Sequence, residues 1–380
     1  MDFSSLITFL NHVQEEYQLP ELECIVAKKH KILFRYFTNG SLSTLMDFPN
    51  HIYSLYSVTK VVTCAAALQL LEQDKFHLED PLSKYFPEFA HAMVRQFDAN
   101  GHKIPSVPAK SPIRIKHLFT MSAGLNYNRN TPAIQNAIRE KTNFNTVDLA
   151  CAIAQGDLEF EPGTHWKYSL CHEVLGALIE RISQKRFGVY LRENLFSPLQ
   201  MDDASYYPKK KDESRLAALY DYHPETSSIE SLGKKRTYLS EMPNVEGGGG
   251  GLYATPLDMI RFADAMACGG TSWNGMQILK PKTIDMMRTN YLTKEILPDL
   301  SWRHLAGYGY GLGVRTMIDP VKGHSRSPIG EFGWNGAAGS YILMDPSNEL
   351  SIFFATNLLN IPEPWYQPQL RNQVYQCMDL

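Results

Sequence analysis

Apolar residues recur at Phe3, Leu6, Ile7, Leu10 and Val13, three and four positions apart, and Glu15 and Glu16 follow. That spacing predicts an amphipathic helix. The period then changes. Cys24-Ile25-Val26-Ala27 and Ile32-Leu33-Phe34-Arg35-Tyr36-Phe37 flank the polar turn Lys28-Lys29-His30-Lys31, which predicts a β-hairpin. A helix is expected where Val61, Val62, Cys64, Ala65, Ala66, Ala67, Leu68, Leu70 and Leu71 crowd together. From about Glu79 to Ser240 the signals are mainly helical, separated by loops rich in proline, glycine and asparagine. The clearest stripe there is Val174, Leu175, Leu178, Ile179 and Ile182.

Thr255-Pro256-Leu257-Asp258 reads as an N-cap with proline at the first helical position. Ile260, Phe262, Ala263 and Met266 continue that helix, and Gly269-Gly270 ends it. Gly307 to Val314 alternates glycine with tyrosine or leucine and reads as a strand. Tyr341–Met344 and Leu350–Ala355 surround Asp345-Pro346-Ser347-Asn348, a second hairpin signal. Leu370, Val374 and Cys377 suggest a closing helix. Strands and a helix at each end, with a helical body between, give α+β order, not repeating βαβ. The terminal strands most simply share one antiparallel sheet. The expected organisation is one unit over 1–380. Residues 1–75 and 245–380 form an α/β subdomain, and 76–244 a mainly helical one.

Composition narrows the function classes. The chain has 380 residues, 44% hydrophobic and 20% charged, with a net charge of −3. No broad basic footprint invites nucleic acid. The short runs Lys209-Lys210-Lys211 and Lys234-Lys235-Arg236 read as solvated loops. Cys24, Cys64, Cys151, Cys171, Cys268 and Cys377 are scattered, with neither a disulfide framework nor a zinc pattern. No apolar run approaches a membrane span, and no signal-peptide pattern opens the chain, so the expected location is cytoplasmic.

The chemistry centres on Tyr56-Ser57-Val58-Thr59-Lys60. Positions three apart share a helix face, so Ser57 and Lys60 can lie side by side, a weak nucleophile next to a base. A second serine–x–x–lysine, Ser231–Lys234, sits in what reads as a polar basic loop without helical pattern and carries no such meaning. The glycine run Gly247–Gly251 lacks a following Gly-Lys-Ser/Thr, which argues against a phosphate-cradling loop. No G-x-S-x-G nucleophile elbow and no H-E-x-x-H zinc motif occurs.

Three further stretches follow in order: Glu161-Pro162-Gly163-Thr164-His165-Trp166-Lys167-Tyr168-Ser169-Leu170, Gly247 to Phe262, and Phe332-Gly333-Trp334-Asn335-Gly336-Ala337-Ala338-Gly339-Ser340. With Ser57–Lys60 they resemble the serine β-lactamase-like hydrolases: class C β-lactamases, DD-peptidases (penicillin-binding proteins) and family VIII esterases. Ile115–Leu125 and Gly249–Thr255 echo two smaller segments of that family. The resemblance spans roughly residues 20–360 and implies a β-lactamase/transpeptidase-like fold. It implies Ser57 as nucleophile, Lys60 as base or proton relay and Tyr168 as the second acid/base group. Backbone N–H groups of Ser57 and Ala337 would form the oxyanion hole, and no cofactor or metal is needed. A tyrosine facing Lys60 is expected to be pushed toward ionisation, the pair titrating as one unit.

Two departures bear on substrate. Leu170 stands where the family has asparagine, and Trp334 where β-lactamases and DD-peptidases carry lysine or histidine. Leu170, Trp334, Asn335 and Gly336 are the expected pocket positions, although Trp334 equally suits a core and Asn335 a turn. The changes replace polar recognition with apolar surface and favour a carboxylesterase acting on a small-molecule ester or amide. The alternatives are β-lactamase or D-amino-acid peptidase activity, acyl transfer, and a catalytically silent binding protein. His165 and Lys167 read as exposed loop residues, and Trp273-Asn274-Gly275 as a structural turn.

Overall fold

The computed structural model describes residues 1–38, 50–234 and 242–380. Lys235, Arg236 and Ser240 lie outside them. Seven antiparallel strands form the main sheet: β1 (Glu23–Lys28), β2 (Lys31–Phe37), β3 (Tyr308–Tyr310), β4 (Arg315–Met317), β5 (Phe332–Asn335), β6 (Tyr341–Asp345) and β7 (Leu350–Ala355). Their spatial order is β2-β1-β7-β6-β5-β4-β3, so the two ends of the chain meet where β1 pairs with β7. The first hairpin turns through Lys29 and His30, both with positive φ, the geometry that matches the twist of paired strands.

Both faces of this sheet are covered, and the strands read accordingly as nearly continuous apolar runs. Side chains alternate between two cores. Ile25, Ala27, Ile342, Met344, Phe353 and Ala355 join the large core that contains the helical body. Cys24, Val26, Leu343, Ile352 and Phe354 face α1 (Ser4–Glu16) and the C-terminal helix α5 (Glu363–Cys377). On the inner face lie α2 (Thr59–Glu72), α3 (Cys171–Ser183) and α4 (Pro256–Ala267). Every residue of α2 from Thr59 to Leu70 is buried, which explains its lack of a polar stripe. At the head of α4, the Thr255 hydroxyl accepts from the Asp258 N–H and the Asp258 carboxylate accepts from the Thr255 N–H, a reciprocal cap.

Three readings change. Between residues 76 and 244 the chain also forms the antiparallel pairs Met93–Phe97 with Lys103–Pro108 and Leu219–His223 with Ser228–Gly233. These strands are short and largely exposed, so they lack the apolar alternation that marks a half-buried strand. Ser231 therefore belongs to a strand, not a loop, and is exposed. The Gly307–Val314 stretch is not one strand. β3 stops at Tyr310, and Gly311 to Val314 turn back into β4, with the Gly311 N–H donating to the Val314 carbonyl and Gly313 at φ +83.

Candidate active site

Ser57 lies in the single tight turn Tyr56–Val58 that feeds α2. Tyr56 has φ +45, a backbone conformation unfavourable for a residue with a Cβ. Strain of this kind persists only where surrounding structure enforces it. Here the enforcement comes from both sides. The Leu55 N–H donates to the Leu252 carbonyl, and the Leu55 carbonyl accepts from the Ser340 hydroxyl at 3.1 Å. Gly336 permits this approach, because a Cβ there would sit 2.4 Å from the Leu55 carbonyl oxygen. The end of β5, with the exposed Ala337 just beyond it, is thereby brought against the turn that carries Ser57.

Lys60 follows one turn later and is buried. Its Nζ lies 3.2 Å from Ser57 Oγ and 2.6 Å from the Gly249 carbonyl oxygen. Thr63, one turn further, donates to the Gly248 carbonyl at 2.7 Å. The glycine run thus presents bare backbone carbonyls to one face of α2. Gly248 has no room for a side chain, since a Cβ would fall 2.0 Å from the His172 carbonyl oxygen. Burial lowers the Lys60 pKa, with Arg129 pushing the same way and Tyr127 and Glu173 opposing. A larger share of Lys60 is therefore neutral than for a lysine in water.

Tyr168 arrives from the loop before α3. That loop is clamped to the segment ending at Leu125: Gly163 N–H donates to the Ser122 carbonyl, and Lys167 N–H to the Met121 carbonyl. The phenol donates to Ser57 Oγ at 2.6 Å, and Lys60 Nζ lies 4.6 Å from the ring centre. Burial raises the Tyr168 pKa far above its ordinary value, outweighing the side-chain contacts with Ser57 and Trp334 that lower it. The expected push toward ionisation is therefore reversed. At neutral pH Tyr168 carries its proton, because desolvation of a phenolate inside this site outweighs stabilisation from its neighbours.

Of the expected pocket positions, Leu170 is a buried core residue at the head of α3. Lys60 Nζ meets the Gly249 carbonyl instead, and Leu170 offers it no polar group. Trp334 is also buried. Its ring stacks on Tyr168, with centroids 5.8 Å apart and planes 14° apart, so it backs the phenol from behind. Asn335 points to the opposite sheet face, where it donates to Glu363. The open aromatic surface comes instead from Trp302 and Tyr127, 37% and 41% exposed, with rings 5.4 and 5.2 Å from Tyr168. Both lie outside the motifs, and the sequence carries no periodic signal that singles them out. His165 pairs with Asp299 and Lys167 with Glu159 at the surface, as loop residues do. Trp273 donates to Asp264 within a structural turn.

Among the described residues, no helix is long and apolar enough to cross a membrane. The family model described as Beta-lactamase matches residues 7–373. Lovastatin esterase of Penicillium rubens is 28% identical over 274 residues, covering 70% of this chain and 66% of its own. Esterase EstB of Burkholderia gladioli is 25% identical over 382 residues, covering 94% of this chain and 92% of its own. Among solved structures, simvastatin synthase (LovD) from Aspergillus terreus superposes with a TM-score of 0.78 at 18% identity, over 100% of this chain and 99% of that one. The chain belongs to the β-lactamase family and is a serine hydrolase built on its fold.

Proposed function

We propose that this enzyme is a carboxylesterase working through an acyl-enzyme on Ser57. The observation that carries the reading is the pair of contacts to one hydroxyl, from Tyr168 at 2.6 Å and from Lys60 at 3.2 Å. Lys60, with its pKa lowered, takes the Ser57 proton as Oγ attacks the ester carbonyl carbon. The carbonyl oxygen gains the electron pair, and the N–H groups of Ser57 and Ala337 receive it. Tyr168, with its pKa raised, supplies a proton to the departing alkoxide. The proton held on Lys60 then restores the phenol. Water repeats the sequence on the acyl-enzyme, releasing the acid and returning the proton to Ser57. The Lys60–Gly249 contact suits this cycle, because neutral lysine can donate one N–H to the carbonyl and keep its lone pair for Ser57.

An ester, rather than a β-lactam or peptide, is supported by the apolar substitutions at Trp334 and Leu170, which leave no cation or amide from those positions for a substrate carboxylate or amide. The names of the esterase relatives agree. A cytoplasmic setting fits the six unpaired cysteines. Incubation with a fluorophosphonate, followed by intact mass, should add one adduct that is absent from Ser57→Ala. Short-chain p-nitrophenyl esters should be hydrolysed far faster than nitrocefin. No adduct on Ser57 refutes the acyl-enzyme, and rapid nitrocefin turnover with untouched esters refutes the substrate class.

A further inference from the structure

A second polar cluster lies on the face of β5 opposite Trp334, and Trp302 links it to the Tyr168 side. Asn335, at the end of β5, donates Nδ2 to Glu363 Oε1 at 2.7 Å, and Glu363 sits in the first turn of α5. The His304 ring nitrogen Nε2 lies 3.9 Å from Glu363 Oε2. His304 in turn stacks on Trp302, centroids 5.9 Å apart, and Trp302 is the exposed ring beside Tyr168 and Trp334.

The hydrogen bonding of this cluster is incomplete. Asn335 Oδ1 and both His304 ring nitrogens are buried with no hydrogen-bond partner among the described residues. Asn335 is 6% exposed and the His304 side chain 7%. Buried polar atoms without partners are uncommon and disfavour the fold unless something occupies them. Arg315 is the cation whose charge reaches Glu363 and His304, but it is engaged elsewhere: it lies 3.6 Å from Glu331 and donates to the Ile342 carbonyl. Burial pushes the Glu363 carboxyl up to about 7, a carboxylate short of compensating charge. Burial, with Arg315, holds His304 down at about 4, so its imidazole is neutral and one ring nitrogen can accept.

We propose that Asn335, His304 and Glu363 bind a primary ammonium group of the substrate. An R–NH3⁺ group brings three N–H donors and one positive charge. The cluster offers three acceptors around one carboxylate: Asn335 Oδ1, a His304 nitrogen and Glu363 Oε2. A carboxylate ligand would meet Glu363 with like charge, and a neutral hydroxyl would supply one donor and no charge. The substrate class is thus an ester whose acyl or alcohol part carries an amine. This rests on the Ser57 cleft being the substrate cleft, but the binding can be read without turnover.

Calorimetry at pH 8.5 and constant ionic strength would compare n-butylammonium chloride, tetramethylammonium chloride and 1-butanol on the full chain and on Glu363→Gln. Butylammonium should bind at least about tenfold tighter than either control, the range of a charge-assisted hydrogen bond, and Glu363→Gln should remove most of that advantage. Equal binding of the three probes, or no binding, overturns the proposal on the wild-type protein alone. Selectivity unchanged in a folded Glu363→Gln, checked by its melting curve, overturns the assignment to this cluster. Loss of the fluorophosphonate adduct would sink the acyl-enzyme and leave these readings intact.

Discussion

Lys60 Nζ is closer to the Gly249 carbonyl oxygen, at 2.6 Å, than to Ser57 Oγ, at 3.2 Å. The lysine is therefore anchored by backbone beside the serine. Its environment favours the neutral amine, since burial lowers its pKa from 10.5. The proposed role of Lys60 as base requires that neutral form, so kcat/KM should rise with pH along a limb whose midpoint lies below 10.5. Stability should follow the same direction. Below the folded pKa the protein buries a charge, and that penalty is relieved as pH rises through it. Lys60→Met should then be inactive toward esters yet melt higher than wild type at pH 7. A variant that melts lower would mean that the contact with Gly249 outweighs the buried charge.

Tyr168 carries a proton at neutral pH and donates it to Ser57 Oγ. If its role is to protonate the leaving group, its loss matters most where the leaving group is basic. Tyr168→Phe should lower kcat for simple alkyl esters by about 10²–10⁴, the usual range for general acid–base catalysis. The fall should be much smaller for p-nitrophenyl esters, whose phenolate departs without help. Steady-state rates across a series of alcohol leaving groups would measure the slope. Equal losses across the series would assign Tyr168 to activating Ser57 instead.

The sheet and the central helix were legible because burial imposed them on the sequence. β1, β6 and β7 are apolar on both faces, and α2 is apolar all round. Ser57 and Lys60 were legible because helix spacing fixes their juxtaposition. Tyr168 needed the resemblance, since its contact with Ser57 spans 111 residues and rests on loop clamping that leaves no period. The expected pocket positions separate for a related reason. Trp334 and Asn335 are neighbours on β5, so their side chains leave opposite faces. One backs Tyr168 and the other meets Glu363, whereas adjacency in sequence suggested a shared wall. Trp302 and His304 come from a single 3-10 turn, Arg303–Leu305, and its N-cap, too short to leave a period.

Gly336 makes a specific steric prediction. A Cβ there would lie 2.3 Å from Ser340 Oγ and 2.4 Å from the Leu55 carbonyl oxygen. Gly336→Ala must push the end of β5 away from the Ser57 turn, moving the Ala337 N–H relative to Ser57. A destabilisation of about 1–3 kcal/mol is expected from such overpacking. An accompanying fall of about 10²–10³ in kcat is expected from a misplaced oxyanion donor. Ser340→Ala removes only the hydroxyl bond to Leu55 and should destabilise by about 1 kcal/mol with a far smaller rate effect. Denaturant melts and ester kinetics on both variants would separate the steric role from the hydrogen bond. Equal kinetics in both would detach Gly336 from the oxyanion geometry.

Glu363 gives a pH-dependent stability with a definite sign. Its folded pKa of about 7 lies above the ordinary 4.5 because burial disfavours the carboxylate. A raised folded pKa contributes stability that is full below about 4.5 and is lost as pH rises through about 7. Glu363→Gln removes this dependence, and the unpartnered Asn335 Oδ1 can accept from the new amide. The melting temperature of Glu363→Gln minus that of wild type should therefore increase between pH 4.5 and pH 8. Glu23, at about 7, and Asp258, at about 6, titrate in the same direction but are present in both proteins, so they cancel in the difference. A saturating alkylammonium salt should shrink the gap at pH 8, because it supplies the missing countercharge to wild type alone. A difference that stays flat across this range would show that the Glu363 carboxylate is already compensated in the free enzyme, and the case for an ammonium site there would fall with it.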